Sequence, residues 1–236
     1  MSSGVKGIVP EPSQIDELAP AQAYPKGVQL FREGVLLNEV LLVRAGVVKL
    51  ARTAGDGRES IIELAFRETW LGAASVIVNR PSPVSAITCT EAMITRITAD
   101  EFRRQLREAP TLSLRVHEAH ARELNRQMGW IDELASLSSL ERLKLVMRRF
   151  IATLPRQTSD RGVRLNVPLR HWELARLIAV SPEHLSRLFR KMEREGIIER
   201  SKGWVIVSDM MRLGRPEPDD DPDDVLSRDP ALSRSC

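Results

Sequence analysis

Short apolar runs alternate with turn residues between positions 24 and 98. Each run is four to seven residues long, and the runs predict strands at Val28–Phe31, Val40–Val43, Val47–Ala51, Ser60–Ala65, Val84–Thr90 and Met93–Ile97. Turns rich in glycine or proline separate these runs, and residues 54–57 have the composition of a hairpin turn. Many short strands at nearly even spacing are typical of an antiparallel β-barrel or β-roll.

The periodicity changes after Ala99. A short helix is predicted over Asp100–Arg107, and a long helix follows from Thr111 to about Ser136. Apolar positions of the long helix recur in alternating steps of three and four residues, which is a heptad pattern. This seam consists of Leu114, His117, Ala121, Leu124, Met128, Ile131 and Ala135. Such a narrow seam favours a two-helix homodimer, and the alternative is a helix that packs against its own domain.

The C-terminal part of the chain has the outline of a winged helix-turn-helix. A helix is predicted over Leu140–Leu154, capped by Ser138 or Ser139, and a strand over Val163–Val167. Two helices and two strands then follow in order: Trp172–Ala179, Pro182–Glu195, Ile197–Glu199 and Trp204–Val207. The predicted fold is α+β, with an antiparallel β-roll (a double-stranded β-helix), a long dimerisation helix and a winged helix-turn-helix.

These patterns divide the chain into five segments. They are an N-terminal arm (1–23), the roll (24–98), the short and long helices (99–136), the winged helix-turn-helix (137–213) and a tail predicted to be disordered (214–236).

Charge is distributed unevenly over the 236 residues. The whole chain has 35 Lys+Arg and 32 Asp+Glu, a net charge of +3 that predicts no particular partner. Residues 137–213 hold 16 basic and 8 acidic side chains, a balance of +8, whereas residues 214–236 hold 3 and 7, a balance of −4. A basic excess in a folded segment indicates a polyanionic partner, most often nucleic acid.

Several protein classes are not expected. No apolar run approaches the ~18–20 residues of a membrane span, and residues 1–20 lack the apolar core of a secretion signal, so a cytoplasmic protein without membrane contact is expected. Cys89 and Cys236 are too few for a disulfide framework. A cupin-type metalloenzyme would need histidines within the roll. All four histidines follow residue 98, so neither a metal site nor an enzyme is expected.

The recognition helix of the winged helix-turn-helix is predicted at residues 182–194, where Ser181 is a suitable N-cap and Pro182 occupies the first turn. Base contacts are predicted for Glu183, Ser186 and Arg187, since arginine can bind guanine and glutamate can accept from cytosine. Because Glu183 and Arg187 are four residues apart, they can also pair with each other. Phosphate contacts are predicted for Arg170, His171, Ser181, Arg190, Lys191 and Lys202.

From Tyr24 to Asp209, the chain resembles the Crp–Fnr family of bacterial transcription regulators. The resemblance includes Gly34 and Gly46, the segment 61–72 ending in Leu71-Gly72, and the segment 182–187, which is similar to the E-x-x-S-R pattern of the Fnr branch. The resemblance implies a homodimer that binds a palindrome of TTGA-like half-sites, with Glu183 and Arg187 at the inner G·C pair. It also implies contact with RNA polymerase.

The sequence departs from this family at the ligand sites. Cyclic-AMP-binding members carry Gly-Glu and Arg-Ser in the roll, whereas here Ala73 follows Gly72 and Ser82-Pro83 occupies the place of Arg-Ser. A cyclic phosphate would lack a cation, so cyclic AMP is not expected. Two cysteines cannot hold the four-cysteine iron–sulfur cluster of the Fnr branch. A small-molecule effector would lie among Gly72, Ala73, Ser82, Val84 and Ser85.

The predicted function is a dimeric, sequence-specific DNA-binding regulator whose roll senses an effector. One alternative is a ligand-independent regulator controlled by its abundance, and another is a haem- or redox-sensing regulator. His117 could contact haem or an effector, or set the register of the dimer. Cys89 could be a redox switch or a small buried apolar residue.

Overall fold

The N-terminal half is a roll of two four-stranded antiparallel sheets. The computed structural model describes residues 19–53, 55, 59–154, 157–201 and 204–214. The strands are β1 (Ala21–Tyr24), β2 (Gln29–Phe31), β3 (Glu39–Ala45), β4 (Val48–Thr53), β5 (Glu59–Ala65), β6 (Trp70–Leu71), β7 (Ser85–Thr88) and β8 (Ala92–Thr98). Their orders are β1-β8-β3-β6 and β2-β7-β4-β5, and all pairs are antiparallel. The predicted antiparallel roll is confirmed.

Three elements of the roll carry no clear sequence signal. β1 pairs with β8 and begins at Ala21, three residues before the predicted start of the roll, but its side chains are mostly exposed and show no apolar alternation. β6 has only two residues, which is too short for a periodic pattern. The helix α1 (Ala73–Val78) was not predicted, because its six residues cannot establish a helical period.

Three helices follow the roll, with ends close to those predicted. They are α2 (Ala99–Glu108), α3 (Pro110–Ser136) and α4 (Ser139–Thr153). Pro110 occupies the first turn of α3, where its missing N–H is tolerated. Ser138 is the N-cap of α4 and forms a capping box with Glu141, because each side chain bonds the other residue's backbone N–H. The junction between α3 and α4 is therefore a short, well-defined break.

The C-terminal domain is the predicted winged helix-turn-helix. Its elements are β9 (Gln157–Ser159), β10 (Gly162–Leu165), α5 (His171–Leu177), α6 (Pro182–Arg194), β11 (Ile198–Ser201), β12 (Trp204–Val207) and α7 (Met210–Leu213). The strands form one antiparallel sheet in the order β11-β12-β10-β9. Apolar side chains of the helices pack with those of the sheet into one core, which includes Phe150, Leu174, Leu185, Met192 and Val207. Strand β9 lies in a stretch for which no strand was predicted, and all three of its residues are exposed.

The long helix α3 has two apolar faces. One face holds Leu112 and Val116, which are 2% and 1% exposed and pack against the roll and α2. The other holds the predicted seam, in which Leu114, Leu124, Met128 and Ile131 are 57–67% exposed. His117 and Ala121 on this seam are exposed as well. A helix that packed only on its own domain would leave no such second stripe.

Helix length and composition also bear on membrane insertion. Within the described part of the chain, no helix combines the length and apolar character needed to cross a bilayer.

A buried ion cluster joins the roll to the helix-turn-helix. Lys49 on β4 donates from Nζ to Glu173 Oε1 of α5 at 2.6 Å, and also to Glu59 on β5. Lys49 and Glu173 are 8% and 6% exposed. Burial by itself would lower the pKa of Lys49, but the hydrogen bonds to Glu173 and Glu59 outweigh burial and raise it. The ammonium therefore stays charged within the contact between the two domains.

Candidate nucleic-acid interface

The N-terminus of α6 has the geometry of a well-capped recognition helix. The Ser181 hydroxyl accepts a hydrogen bond from the His184 backbone N–H at 3.2 Å, and Pro182 occupies the first turn. Leu185, Leu188, Phe189 and Met192 are buried against the domain core. Because these residues are buried, the opposite face of the helix points to solvent. A recognition helix enters a DNA groove with such a face.

The predicted base-contact residues lie together on this outward face. Glu183 and Arg187 are exposed, and Ser186 between them is half-buried. The pKa of Glu183 is lowered, chiefly by its own backbone N–H and by the Ser181 hydroxyl, with a smaller contribution from the charge of Arg187. The Glu183 carboxylate is therefore ionised and able to accept hydrogen bonds.

Glu183 and Arg187 influence each other through charge, but they do not form the close pair that their spacing allows. No ion pair between the two is present in the described residues, and Arg187 Nη2 instead bonds His184 Nδ1 at 3.2 Å. His184 is three residues before Arg187 on the same helical face, so its ring reaches the guanidinium. The three-residue spacing of His184 and Arg187 is visible in the sequence, although the opposite charge of Glu183 makes that residue the partner that the sequence favours.

Ser186 is held by the preceding helix. His171 Nε2 lies 2.9 Å from the Pro182 carbonyl oxygen and 3.0 Å from Ser186 Oγ. Since a carbonyl only accepts, His171 Nε2 carries a proton. Ser186 Oγ is also 3.1 Å from the Pro182 carbonyl oxygen. His171 on α5 therefore supports the first turns of α6, in addition to its predicted phosphate contact.

The predicted phosphate-contact residues surround the same face. Arg170, Arg190 and Lys191 are exposed, and Arg190 Nε bonds the Ser186 carbonyl oxygen at 3.3 Å. Lys191 Nζ lies 3.9 Å from Glu195 Oε1, and an ion pair this long between exposed side chains is weak. Lys202 lies outside the described residues. The described cations thus remain free to meet a polyanion.

The candidate effector residues are already bonded to the protein itself. Ser82 is 2% exposed and its hydroxyl donates to the Val84 carbonyl oxygen at 2.7 Å, while Ser85 Oγ accepts from the Glu33 backbone N–H at 2.9 Å. Gly72 has a positive φ of 76°, and a Cβ there would lie 2.6 Å from Leu37 Cδ1. Ala73 is fully buried.

A cavity of about 290 Å³ lies in the roll beside these residues rather than among them. It is lined by Leu30, Phe31, Arg32, Val35, Leu36, Leu37, Asn38, Glu39, Leu41 and Arg96. Arg96, which could face an anion in this cavity, is already held by Glu39. Among the described residues, no group of His, Cys, Asp and Glu side chains is arranged to hold a metal ion.

Cys89 is buried at 5% exposure, and burial is the main cause that raises its thiol pKa to about 11. We expect the thiol in a Cys236→Ser variant to react with Ellman's reagent at pH 8 about 100-fold more slowly in the native state than in denaturant. The expected factor follows from a pKa two units above its ordinary 9.0, since only the thiolate reacts. Equal rates in the two states would favour the redox-switch alternative.

Comparison with known proteins gives the same architecture. Residues 21–109 match the cyclic nucleotide-binding domain family, and residues 136–215 match the Crp-like helix-turn-helix domain family. A CRP-like cAMP-activated global transcriptional regulator of Mycobacterium tuberculosis is 28% identical over 87% of this chain and 92% of its own length. The transcriptional activator protein FnrL of Cereibacter sphaeroides is 24% identical over 89% and 85%.

A solved structure is also similar in fold. A CRP-family transcriptional regulator from Thermus thermophilus superposes with a TM-score of 0.71 at 19% identity, covering 81% of this chain and 94% of that one.

Proposed function

Since the chain belongs to the Crp–Fnr family of transcription regulators, we propose that it binds, as a homodimer, a palindrome of TTGA-like half-sites. The observation that carries this proposal is the outward-facing cluster of Glu183, Ser186 and Arg187 at the capped N-terminus of α6. Arginine donates two hydrogen bonds to guanine and glutamate accepts from cytosine, so one G·C pair can satisfy both side chains.

The domains matched by this chain are those of transcription regulators, and its relatives regulate transcription rather than catalyse reactions. The cupin-type enzyme alternative is therefore excluded. RNA polymerase is proposed as a further partner, because relatives of this chain include a transcriptional activator protein. A cytoplasmic location follows from this same proposed function.

Dimerisation is proposed through the exposed seam of α3. The seam presents Leu114, Leu124, Met128 and Ile131 at heptad spacing, and a second copy of α3 would cover them. A two-fold dimer presents two α6 helices. Half-sites about 34–36 Å apart would place the two helices in successive major grooves on one side of the duplex.

The effector proposed for the roll is a small molecule other than cyclic AMP. The Ser82 hydroxyl is committed to the Val84 carbonyl oxygen, and Arg80 nearby is exposed rather than directed inward. A cyclic phosphate at this place would lose water without gaining a cation. Neither an iron–sulfur cluster nor another resident cofactor is proposed.

Control by abundance is the second candidate. It is favoured because the Ser82 and Ser85 hydroxyls already bond the backbone of the protein and not a ligand. In that case the protein would occupy its site without any small molecule. Haem sensing through His117 is the third candidate: its Nδ1 lies 2.6 Å from the Ser113 carbonyl oxygen of its own helix, which leaves Nε2 available to a ligand.

Selection of binding sites from random duplex DNA tests the main proposal. The purified full chain is expected to enrich inverted TTGA-like half-sites about one helical turn apart, and an unrelated or non-palindromic motif would contradict it. Adding cyclic AMP is expected to leave the affinity for the selected site unchanged. Equal occupancy with and without a bacterial metabolite extract would favour control by abundance.

A further inference from the structure

We propose that His184 is a positioning residue that orients the Arg187 guanidinium for base recognition and links it to the hinge between α3 and α4. This inference rests on the proposed function, since it assumes that Arg187 binds a base. It concerns a residue that makes no base contact itself in the proposed arrangement.

The hydrogen-bond partners define the state of the His184 ring. Arg187 Nη2 lies 3.2 Å from His184 Nδ1, and a guanidinium can only donate. His184 Nδ1 must therefore accept, and the proton of the neutral ring lies on Nε2. That Nε2 is 3.0 Å from Ser139 Oγ, to which it donates. One ring thus connects the recognition arginine with the first residue of α4.

Arg187 needs such a partner because it is exposed and its long side chain has many rotamers. Its guanidinium makes no ion pair with a described residue, so the bond to His184 is what restricts it before DNA arrives. Immobilising an arginine in advance removes part of the ordering cost of binding. The gain is about two- to tenfold in affinity for the matching base pair.

Ser139 lies where the long helix is connected to the DNA-binding domain. The neighbouring Arg142 donates to the Leu134 and Leu137 carbonyl oxygens at 2.9 and 3.1 Å, and to the Ile178 carbonyl oxygen at 3.0 Å. The end of α3 is thereby fixed to the end of α5. Ser139 opens α4 directly after this junction, so the bond from His184 ties the orientation of Arg187 to the first turn of α4.

Substitutions can separate the two bonds of the ring. The side-chain oxygen of asparagine lies near the place of Nδ1 and can accept from Arg187, but asparagine is too short to reach Ser139. The amide of glutamine reaches the place of Nε2 and can bond Ser139. Alanine removes both bonds.

Fluorescence anisotropy of the full-length variants, at one salt concentration, gives the readout. The measured quantity is the ratio of Kd for a half-site with its inner G·C pair replaced to Kd for the intact half-site. We expect His184→Ala to lower this ratio about two- to tenfold, His184→Asn to restore most of it, and His184→Gln to restore little. Ser139→Ala should lower it by a smaller factor, because the ring loses one of its two anchors.

An unchanged ratio in His184→Ala, or equal rescue by asparagine and glutamine, would overturn the positioning role. A Ser139→Ala variant with the native ratio would overturn the link to the hinge. His120→Ala, which removes a histidine from α3, is the matched control, and circular dichroism confirms that each variant folds. Arg187→Ala distinguishes failure of the proposed base recognition from failure of the positioning role. If Arg187→Ala keeps the native selectivity, the proposed base recognition is refuted. If Arg187→Ala loses selectivity while His184→Ala keeps it, only the role of His184 is refuted.

Discussion

An Arg187→Ala variant should lose discrimination at the inner G·C pair of the half-site while it retains weak binding to DNA of any sequence. A bidentate arginine–guanine contact contributes about 1–3 kcal/mol of discrimination per half-site, or roughly 5–150-fold. Competition between the selected site and a site with both inner pairs replaced measures this loss directly. Because a dimer reads two half-sites, the effect on the full palindrome is the square of the effect on one.

Lys191→Ala is the matched control for Arg187→Ala. It removes one exposed cation from the same helix, at a position predicted to contact a phosphate rather than a base edge. Affinity for all sequences should fall together, and the slope of log K against log salt should become shallower by about two units, one for each protomer. Selectivity that survives in Arg187→Ala, or disappears in Lys191→Ala, would show that α6 is assigned wrongly.

Replacing both Leu124 and Met128 with aspartate should convert the protein into monomers. These side chains are 57% and 61% exposed on the seam of α3, and each buried apolar side chain contributes roughly 1.5–3 kcal/mol. Their loss predicts dimerisation weakened about 100-fold or more, with additional repulsion between the carboxylates. Analytical ultracentrifugation measures the change, and binding to the palindrome should fall to the level of a single half-site.

Arg115→Asp together with Arg122→Asp provides the control for the seam. Both positions are exposed on α3 and are b positions of the heptad, so the variant carries the same low helix propensity without touching the proposed contact. It should remain dimeric. A dimeric Leu124→Asp/Met128→Asp variant, or a monomeric control, would place the subunit contact elsewhere on the molecule.

Elements with a strong local pattern could be predicted from the sequence. The seam of α3, the Ser138–Glu141 capping box and the Ser181 cap follow from spacing and from side-chain types within a few residues. Strand β1 could not be predicted in this way, because its pairing with β8 depends on residues about 70 positions away. The two-residue strand β6 and the helix α1 are too short to show a period.

The candidate site divides along the same line. The outward position of Glu183 and Arg187 follows from the helical period, whereas the partner of Arg187 depends on which side chain reaches its guanidinium in space. His184 is fixed by Ser139, which is 45 residues away in sequence. No local pattern shows such a contact, so the role of His184 could not be predicted. The same holds for Lys49 and Glu173, which are 124 residues apart and appear in the sequence as ordinary surface charges.

The carboxylate of Glu173 performs two tasks at once. Its Oε2 accepts from the Arg170 backbone N–H at 2.7 Å and completes the first turn of α5, while its Oε1 holds Lys49 of the roll. Separation of the two domains would leave the cap of α5 intact. It would also expose the Glu173 carboxylate and remove its partner Lys49. Lys49 of the roll is therefore the counter-ion of a buried acid in the DNA-binding domain, and Glu173 adds no unpaired negative charge to the domain that is to bind a polyanion.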